Sequence, residues 1–218
     1  MKKGFTLAET LITLGIIGVV AALTIPIIIE KHQEHITVAK VKKFYSTMNQ
    51  ALLYAINENG TIKEWDFDNT NKEIAVTKFF EYLRPYLKIS KDCKTSSGCI
   101  ADEAYKYLNN SQQTYYNKFP KYYKLILADG SCMWLRVNIY NSKICSDKEG
   151  SYTDTCGLVW IDVNGELPPN TFGKDTFVFA ILENKIVPSN NDICKIGNSG
   201  WGCAGYILQN GNMKYLHK

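Results

Sequence analysis

Between Leu11 and Ile29 the chain runs for nineteen residues without an ionisable side chain, inside an apolar stretch covering residues 4–29 whose single acid is Glu9. A helix rises about 1.5 Å per residue and a hydrocarbon core is roughly 30 Å thick, so the stretch is long enough to span a membrane. A carboxylate at the centre of such a core costs about 2.5 to 3.5 kcal/mol, so an acid kept near one end of the segment calls for a cationic partner.

A secretory signal peptide also has a basic start, an apolar middle and a small-residue cleavage site. Here the apolar run is too long for that middle, a carboxylate sits near its start, and no A-x-A site follows Pro26-Ile27-Ile28-Ile29. An ordinary single-pass anchor gives no reason for Glu9, or for Gly4-Phe5-Thr6-Leu7 beside Lys2-Lys3. Together these residues resemble the class III signal of type IV pilins and type II secretion pseudopilins: a short basic leader ending in Gly, then Phe, then Glu four residues on. Ala8 stands where many members of that family carry Ile, Val or Leu.

The resemblance implies a leader of residues 1–4, cleaved between Gly4 and Phe5 by a prepilin peptidase, and N-methylation of Phe5. It also implies subunit assembly through Glu9, which would meet the Phe5 amine of a neighbouring subunit. Opposite charges brought together in a low-dielectric bundle relieve the penalty each carries alone. Like subunits, minor pilins, an inner-membrane assembly platform and, before assembly, membrane lipid are the implied partners. Gly15 and Gly18 permit close helix approach and Pro26 removes a helix hydrogen bond, which on their own mean packing and a kink. In filaments of the family the helix can melt locally around such a proline.

Lys2 and Lys3 favour a cytoplasmic N-terminus, although Lys31, Lys40, Lys42 and Lys43 lie on the other side, and cytoplasmic leader processing in the family breaks the tie. The expected location is the bacterial inner membrane, with the head periplasmic or extracellular, and afterwards a pilus or pseudopilus. With 218 residues, 45% hydrophobic and 21% charged, the remainder suits one globular head over residues 60–218. Net charge is +4, two of it from the leader lysines, which gives no electrostatic case for nucleic acid. Seven cysteines in an exported chain suggest three disulfides and an odd thiol. Cys93 and Cys99 bracket a flexible pentapeptide, Cys145 and Cys156 share a polar loop, and Cys194 and Cys203 clasp a glycine-rich segment. Pairing within each couple leaves Cys132 as the odd thiol.

The expected fold is α+β. Residues 5–29 form the membrane and filament-core half of a helix, and residues 30–59 continue it as an amphipathic half into the head. Val38, Val41, Tyr45, Met48, Leu52 and Ala55 or Ile56 recur at steps of three and four, and Asn59-Gly60 supplies the stop. Residues 61–70 read as loop, 72–87 as a short helix and 88–123 as a loop-rich, disulfide-stapled insertion with many tyrosines, which favour packing over recognition. Strands follow at 123–128 and 132–140 around Asp129-Gly130, then at 158–163 and 176–182, giving an antiparallel sheet of three or four strands against the amphipathic helix.

Residues 162–177, with D-x-N-G, Pro-Asn and G-x-D-x-F, resemble a segment common in bacterial secretion-like pseudopilins. Major pseudopilins of type II secretion bind calcium in a loop roughly here, and Asp162, Asn164 and Asp175 offer hard oxygen ligands. Without the twelve-residue EF-hand spacing, a structural turn is the competing account. No other cofactor is called for. His32 and His35 in His-Gln-Glu-His fit no zinc-protease motif, Ser199 lacks a G-x-S-x-G frame, and residues 197–205 are followed by no P-loop lysine, so no catalytic site is expected and the chain reads as a non-enzyme. The function so implied is a structural subunit of a type IV pilus-like filament, foremost a pseudopilin of a type II secretion-like system. The alternative is a membrane-tethered or pilus-borne subunit for adhesion or DNA uptake.

Overall fold

A computed structural model describes residues 6–66, 71–140 and 143–217, with Tyr140 and Glu149 described by backbone alone. Two compact units are present, Met1–Ile36 and Thr37–Lys218. Helix α1 (Leu7–Asn59) runs through the described part of the first and opens the second, with Pro26 inside it. In the first unit the helix has charged residues only towards its ends and three threonines, Thr10, Thr13 and Thr24, among apolar residues, and its Leu, Ile and Val side chains are exposed. From Val38 onward the pattern becomes amphipathic, and Val38, Val41, Phe44, Met48, Ala51, Leu52 and Ala55 are buried. Phe44 takes the buried place expected for Tyr45, which is half-buried beside it. Gly60 ends the helix at φ +78°, donating to Ile56 O at 2.9 Å.

The second unit adds α2 (Lys72–Leu83), whose N-cap Asn71 accepts from the Glu73 and Ile74 amides, and α3 (Cys203–Asn210). A 3-10 turn, Arg84–Tyr86, follows α2 because Pro85 cannot continue it. Among the described residues twelve strands lie between α2 and α3: β1 (Ile89–Lys94), β2 (Tyr105–Lys106), β3 (Gln113–Thr114), β4 (Tyr123–Leu127), β5 (Cys132–Val137), β6 (Ile139–Tyr140), β7 (Lys143–Ile144), β8 (Asp147–Glu149), β9 (Tyr152–Thr155), β10 (Gly157–Asp162), β11 (Thr176–Ile181) and β12 (Ile186–Pro188). Six of them make one antiparallel sheet in the order β1-β4-β5-β10-β11-β12, and the others form three small hairpins.

The sheet therefore has six strands where three or four are expected from pattern. One of the extra strands, β1, lies in the stretch read as loop. It is half-exposed and joins the edge with two register shifts, so its own sequence alternates poorly. The other, β12, is three residues long, and its unpaired edge is answered from α1. Asn49 donates to Ile186 O at 3.1 Å and accepts from Ile186 N at 2.9 Å, matching both backbone groups as a neighbouring strand would.

Strands β10 and β11 are buried at every residue because both faces of the sheet are covered. On one face Leu135, Val159, Ile161, Phe177 and Phe179 pack in a core with α1, α2 and α3. On the other, Trp134, Leu158, Trp160 and Val178 meet Tyr105, Tyr116, Tyr122 and Phe172 from the covering loops. Trp134 and Trp160 are directly paired across β5 and β10, their rings nearly parallel with centroids 6.1 Å apart.

Disulfides join Cys93 to Cys99, Cys145 to Cys156 and Cys194 to Cys203, and Cys132 is a buried free thiol. The first loop is also held from the sheet, where Lys124 Nζ donates to Thr95 O at 2.7 Å and burial pushes the amine down to about 8.

Adjacent leucines on α1 test the helix face. Leu52 is fully buried and Leu53 is 55% exposed. Leu52→Ala should destabilise the head of the dispersed full-length chain by about 2 to 5 kcal/mol, and Leu53→Ala by less than about 0.5 kcal/mol, in chemical denaturation followed by tryptophan fluorescence.

Candidate functional site

Gly4 and Phe5, the residues of the expected cleavage and methylation, lie outside the described residues. Their neighbours are described. Thr6 precedes the first turn of α1, and Glu9 Oε2 accepts from both the Thr6 amide and the Thr6 hydroxyl at 2.8 Å, while the Glu9 amide donates to Thr6 Oγ1 at 3.3 Å. This is a reciprocal capping arrangement. It uses amides that a helix start leaves without partners, and it places a negative charge where the helix dipole favours one. Only Oε2 is engaged among the described residues, so the carboxylate keeps acceptor capacity for a second, cationic donor.

The threonines that follow hide their polarity. Thr10 Oγ1 donates to Thr6 O at 3.1 Å, Thr13 Oγ1 to Glu9 O at 3.0 Å and Thr24 Oγ1 to Val20 O at 2.9 Å. With its hydroxyls folded back, the helix surface from Leu11 to Ile29 is apolar on every side, and its hydropathy and length are those of a membrane span. A Cβ added at Gly15 or Gly18 would meet nothing within 4 Å, so their smallness answers to no contact within this chain.

The second candidate is the segment leaving β10. Asp162 is fully buried and Asp175 nearly so. Asp175 is surrounded by donors: Asn170 N at 2.8 Å, Thr171 N at 2.7 Å, Thr176 Oγ1 at 3.2 Å and Asn164 Nδ2 at 3.4 Å. Its carboxylate staples the loop, although burial still raises its pKa. Asp162 has a poorer supply, namely the Asn164 amide at 3.3 Å and the Tyr105 and Thr176 hydroxyls. Burial first, and then the Asp175 charge, push it well above the usual carboxylate range.

Three oxygen-bearing groups converge at Asp162. The outer atom of the Asn170 amide is 3.2 Å from both Asp162 Oδ2 and Leu167 O. With the amide nitrogen in that position Asn170 donates to both acceptors, and the three groups are satisfied together. Asn164 Oδ1, close by, is buried without a hydrogen-bond partner. Asp162, Asn164 and Asp175, the residues expected to offer hard oxygen ligands, thus lie together, with Asp175 committed to backbone amides and Asp162 and Asn164 Oδ1 short of donors. Sequence reading missed Asn170, whose amide ties Asp162 to the Leu167 carbonyl. The Pro-Asn pair was visible, but a backbone carbonyl leaves no mark in a sequence.

Other singled-out residues fall elsewhere. His32 and His35 are exposed on α1. Ser199 donates through its hydroxyl to Asp192 Oδ2 at 2.5 Å, and its amide and that of Gly202 also bond the Asp192 carboxylate, ordering the Cys194–Cys203 loop. Of the tyrosines in the insertion, Tyr105, Tyr116, Tyr122 and Tyr123 are buried, whereas Tyr115 is 45% exposed.

A prokaryotic N-terminal methylation motif matches residues 1–25, and a family described as a family of unknown function (DUF6613) matches residues 27–214. No curated protein and no solved structure matches.

Removing the staple should be costly. Asp175→Ala leaves the buried Asn170 and Thr171 amides without acceptors, at about 1 to 3 kcal/mol each. A clearly lowered Tm and faster hydrogen exchange at those two amides are expected, with a smaller loss in Asp175→Asn.

Proposed function

The chain belongs to the family of unknown function DUF6613 and begins with the prokaryotic methylation motif; from that premise we propose that it is a structural subunit of a type IV pilus-like filament, foremost a pseudopilin of a type II secretion-like system. The observation that carries the reading is the motif joined to a helix whose apolar side chains are uncovered on all sides. Such a surface needs a lipid environment first and like helices afterwards. A prepilin peptidase acting between Gly4 and Phe5 would release Phe5 as a cationic terminus, and methylation of a secondary or primary amine leaves it cationic. Insertion with the leader in the cytoplasm puts the head on the outer side of the membrane.

In this reading Glu9 gains a second partner during assembly. Its Oε2 caps its own helix through Thr6, and its remaining acceptor capacity takes the Phe5 amine of a neighbour. A charged donor adds about 1.5 to 3 kcal/mol per contact where water is excluded, and a register error leaves the acid unpaired in an apolar bundle. Glu9→Ala should therefore abolish incorporation into filaments while leaving leader removal and head folding intact. Co-expression with the other components of a filament system, shearing and immunoblotting read the result; wild-type yields of filaments from Glu9→Ala would refute the role.

Calcium at the loop after β10 belongs to the same reading. Asp162 and Asn164 Oδ1 would hold it, with Asp175 beside them, and calcium's usual six to eight oxygens would be completed by water. The ion would neutralise Asp162 and fix the loop that Asp175 staples, with no part in any reaction. Calcium should raise the Tm of the full-length chain and release heat on titration, and Asp162→Asn should remove both effects; absence of heat and of any shift on chelation would eliminate the ion.

A further inference from the structure

A cavity of about 350 Å³ lies between the head half of α1 and the β4–β5 turn. Phe44, Met48, Leu87, Leu127 and Ile161 give it an apolar interior, and Met48 and Ile161 are themselves fully buried behind it. Its rim is charged. Lys40, Lys43 and Lys88 stand there against a single acid, Asp129.

Lys43 and Asp129 neutralise each other, with Nζ 2.9 Å from Oδ2. Lys40 places Nζ 2.5 Å from Val163 O, a neutral partner that leaves its charge uncompensated. Lys88 is exposed and forms no ion pair among the described residues. Two positive charges therefore border a hydrophobic hollow. The hollow opens to solvent at this charged rim, so a solute can reach its apolar floor.

We propose that this cavity is a binding site for a small amphipathic anion, with an apolar ring or short chain against Phe44, Met48 and Ile161 and a carboxylate between Lys40 and Lys88. Volume sets the size of the occupant. Small-molecule pockets span about 300 to 1,000 Å³, and this one is at the lower end, which suits a bicyclic ring or a medium-length acyl chain and excludes a diacyl lipid. Charge sets the class. An anion adds a charged partner to these two ammonium groups, which a neutral ligand does not, and a cation would be repelled. The site uses neither Glu9 nor the Asp162 carboxylate, although Ile161 and the Lys40 bond to Val163 O place it beside the loop that leaves β10.

The probe is 2-naphthoate, titrated into the full-length chain in lipid nanodiscs with methionine methyl groups labelled by carbon-13. Among the four methionines Met48 lines the cavity, and Met213 serves as the control outside it. Saturable movement of the Met48 methyl with Met213 unmoved is expected. Neutral 2-naphthamide should bind about ten-fold more weakly, the worth of one charge-assisted contact. A similar loss is expected in Lys40→Gln/Lys88→Gln, and Thr47→Trp, which fills the hollow, should abolish binding.

No movement of Met48, or equal binding of acid and amide, would overturn the assignment. The amide comparison uses the unaltered chain and so decides the matter even where a variant folds poorly. Binding that is seen in dispersed subunits and lost in assembled filaments would give the hollow to a neighbouring copy, and would likewise overturn the proposal.

Discussion

An exposed apolar helix surface sets the terms for the rest of the structure. Thirteen Leu, Ile and Val side chains between Leu7 and Ile29 are more than half exposed. At about 1.5 to 3 kcal/mol for each such side chain taken out of water, their burial is worth tens of kcal/mol, against about 5 to 15 kcal/mol for the whole stability of a typical domain. No rearrangement of the head compensates for leaving that surface in water. Lipid and other copies of the helix are the two environments that remove the penalty, and both tolerate few polar groups. The threonine hydroxyls accordingly turn back to their own helix, and Glu9 is held at the first turn, where amides of the helix start meet it.

The head obeys a different constraint. Its central strands are apolar at every position, so one covering layer is not enough. Helices α1, α2 and α3 cover one face, while the other is covered by loops that carry large aromatic rings in place of regular structure. Irregular segments of this kind need anchors. Disulfides provide three, and the carboxylates of Asp175 and Asp192 provide two more by gathering backbone amides that no strand or helix engages. The insertion is thus the second layer of the core, which explains why most of its tyrosines face inward.

Much of this was legible because it is local. Nineteen uncharged residues, a stripe at steps of three and four, Asn59-Gly60 and Asp129-Gly130 each speak for their own stretch of chain. The strand at Ile89–Lys94 does not. Ile-Ser-Lys-Asp-Cys-Lys has no alternation, and it becomes a strand only through pairing with Tyr123–Leu127 far along the sequence. The edge strand Ile186–Pro188 depends in the same way on Asn49, which a sequence shows only as a polar residue on a helix. In the acidic loop the reading identified the carboxylates but could not separate their duties. Asp175 is spent on amides and Asp162 is short of donors, a distinction made by three-dimensional placement alone.

The central claim, that the first thirty residues are a processed signal fused to a filament helix, predicts a covalent change that can be weighed. Intact-mass and N-terminal peptide mass spectrometry of the chain purified from its native membrane should give a polypeptide that starts at Phe5 and carries one additional methyl group on its terminal amine. A native chain that keeps Met1 to Gly4, or one cut after the apolar run so that Glu9 is lost, would contradict the account.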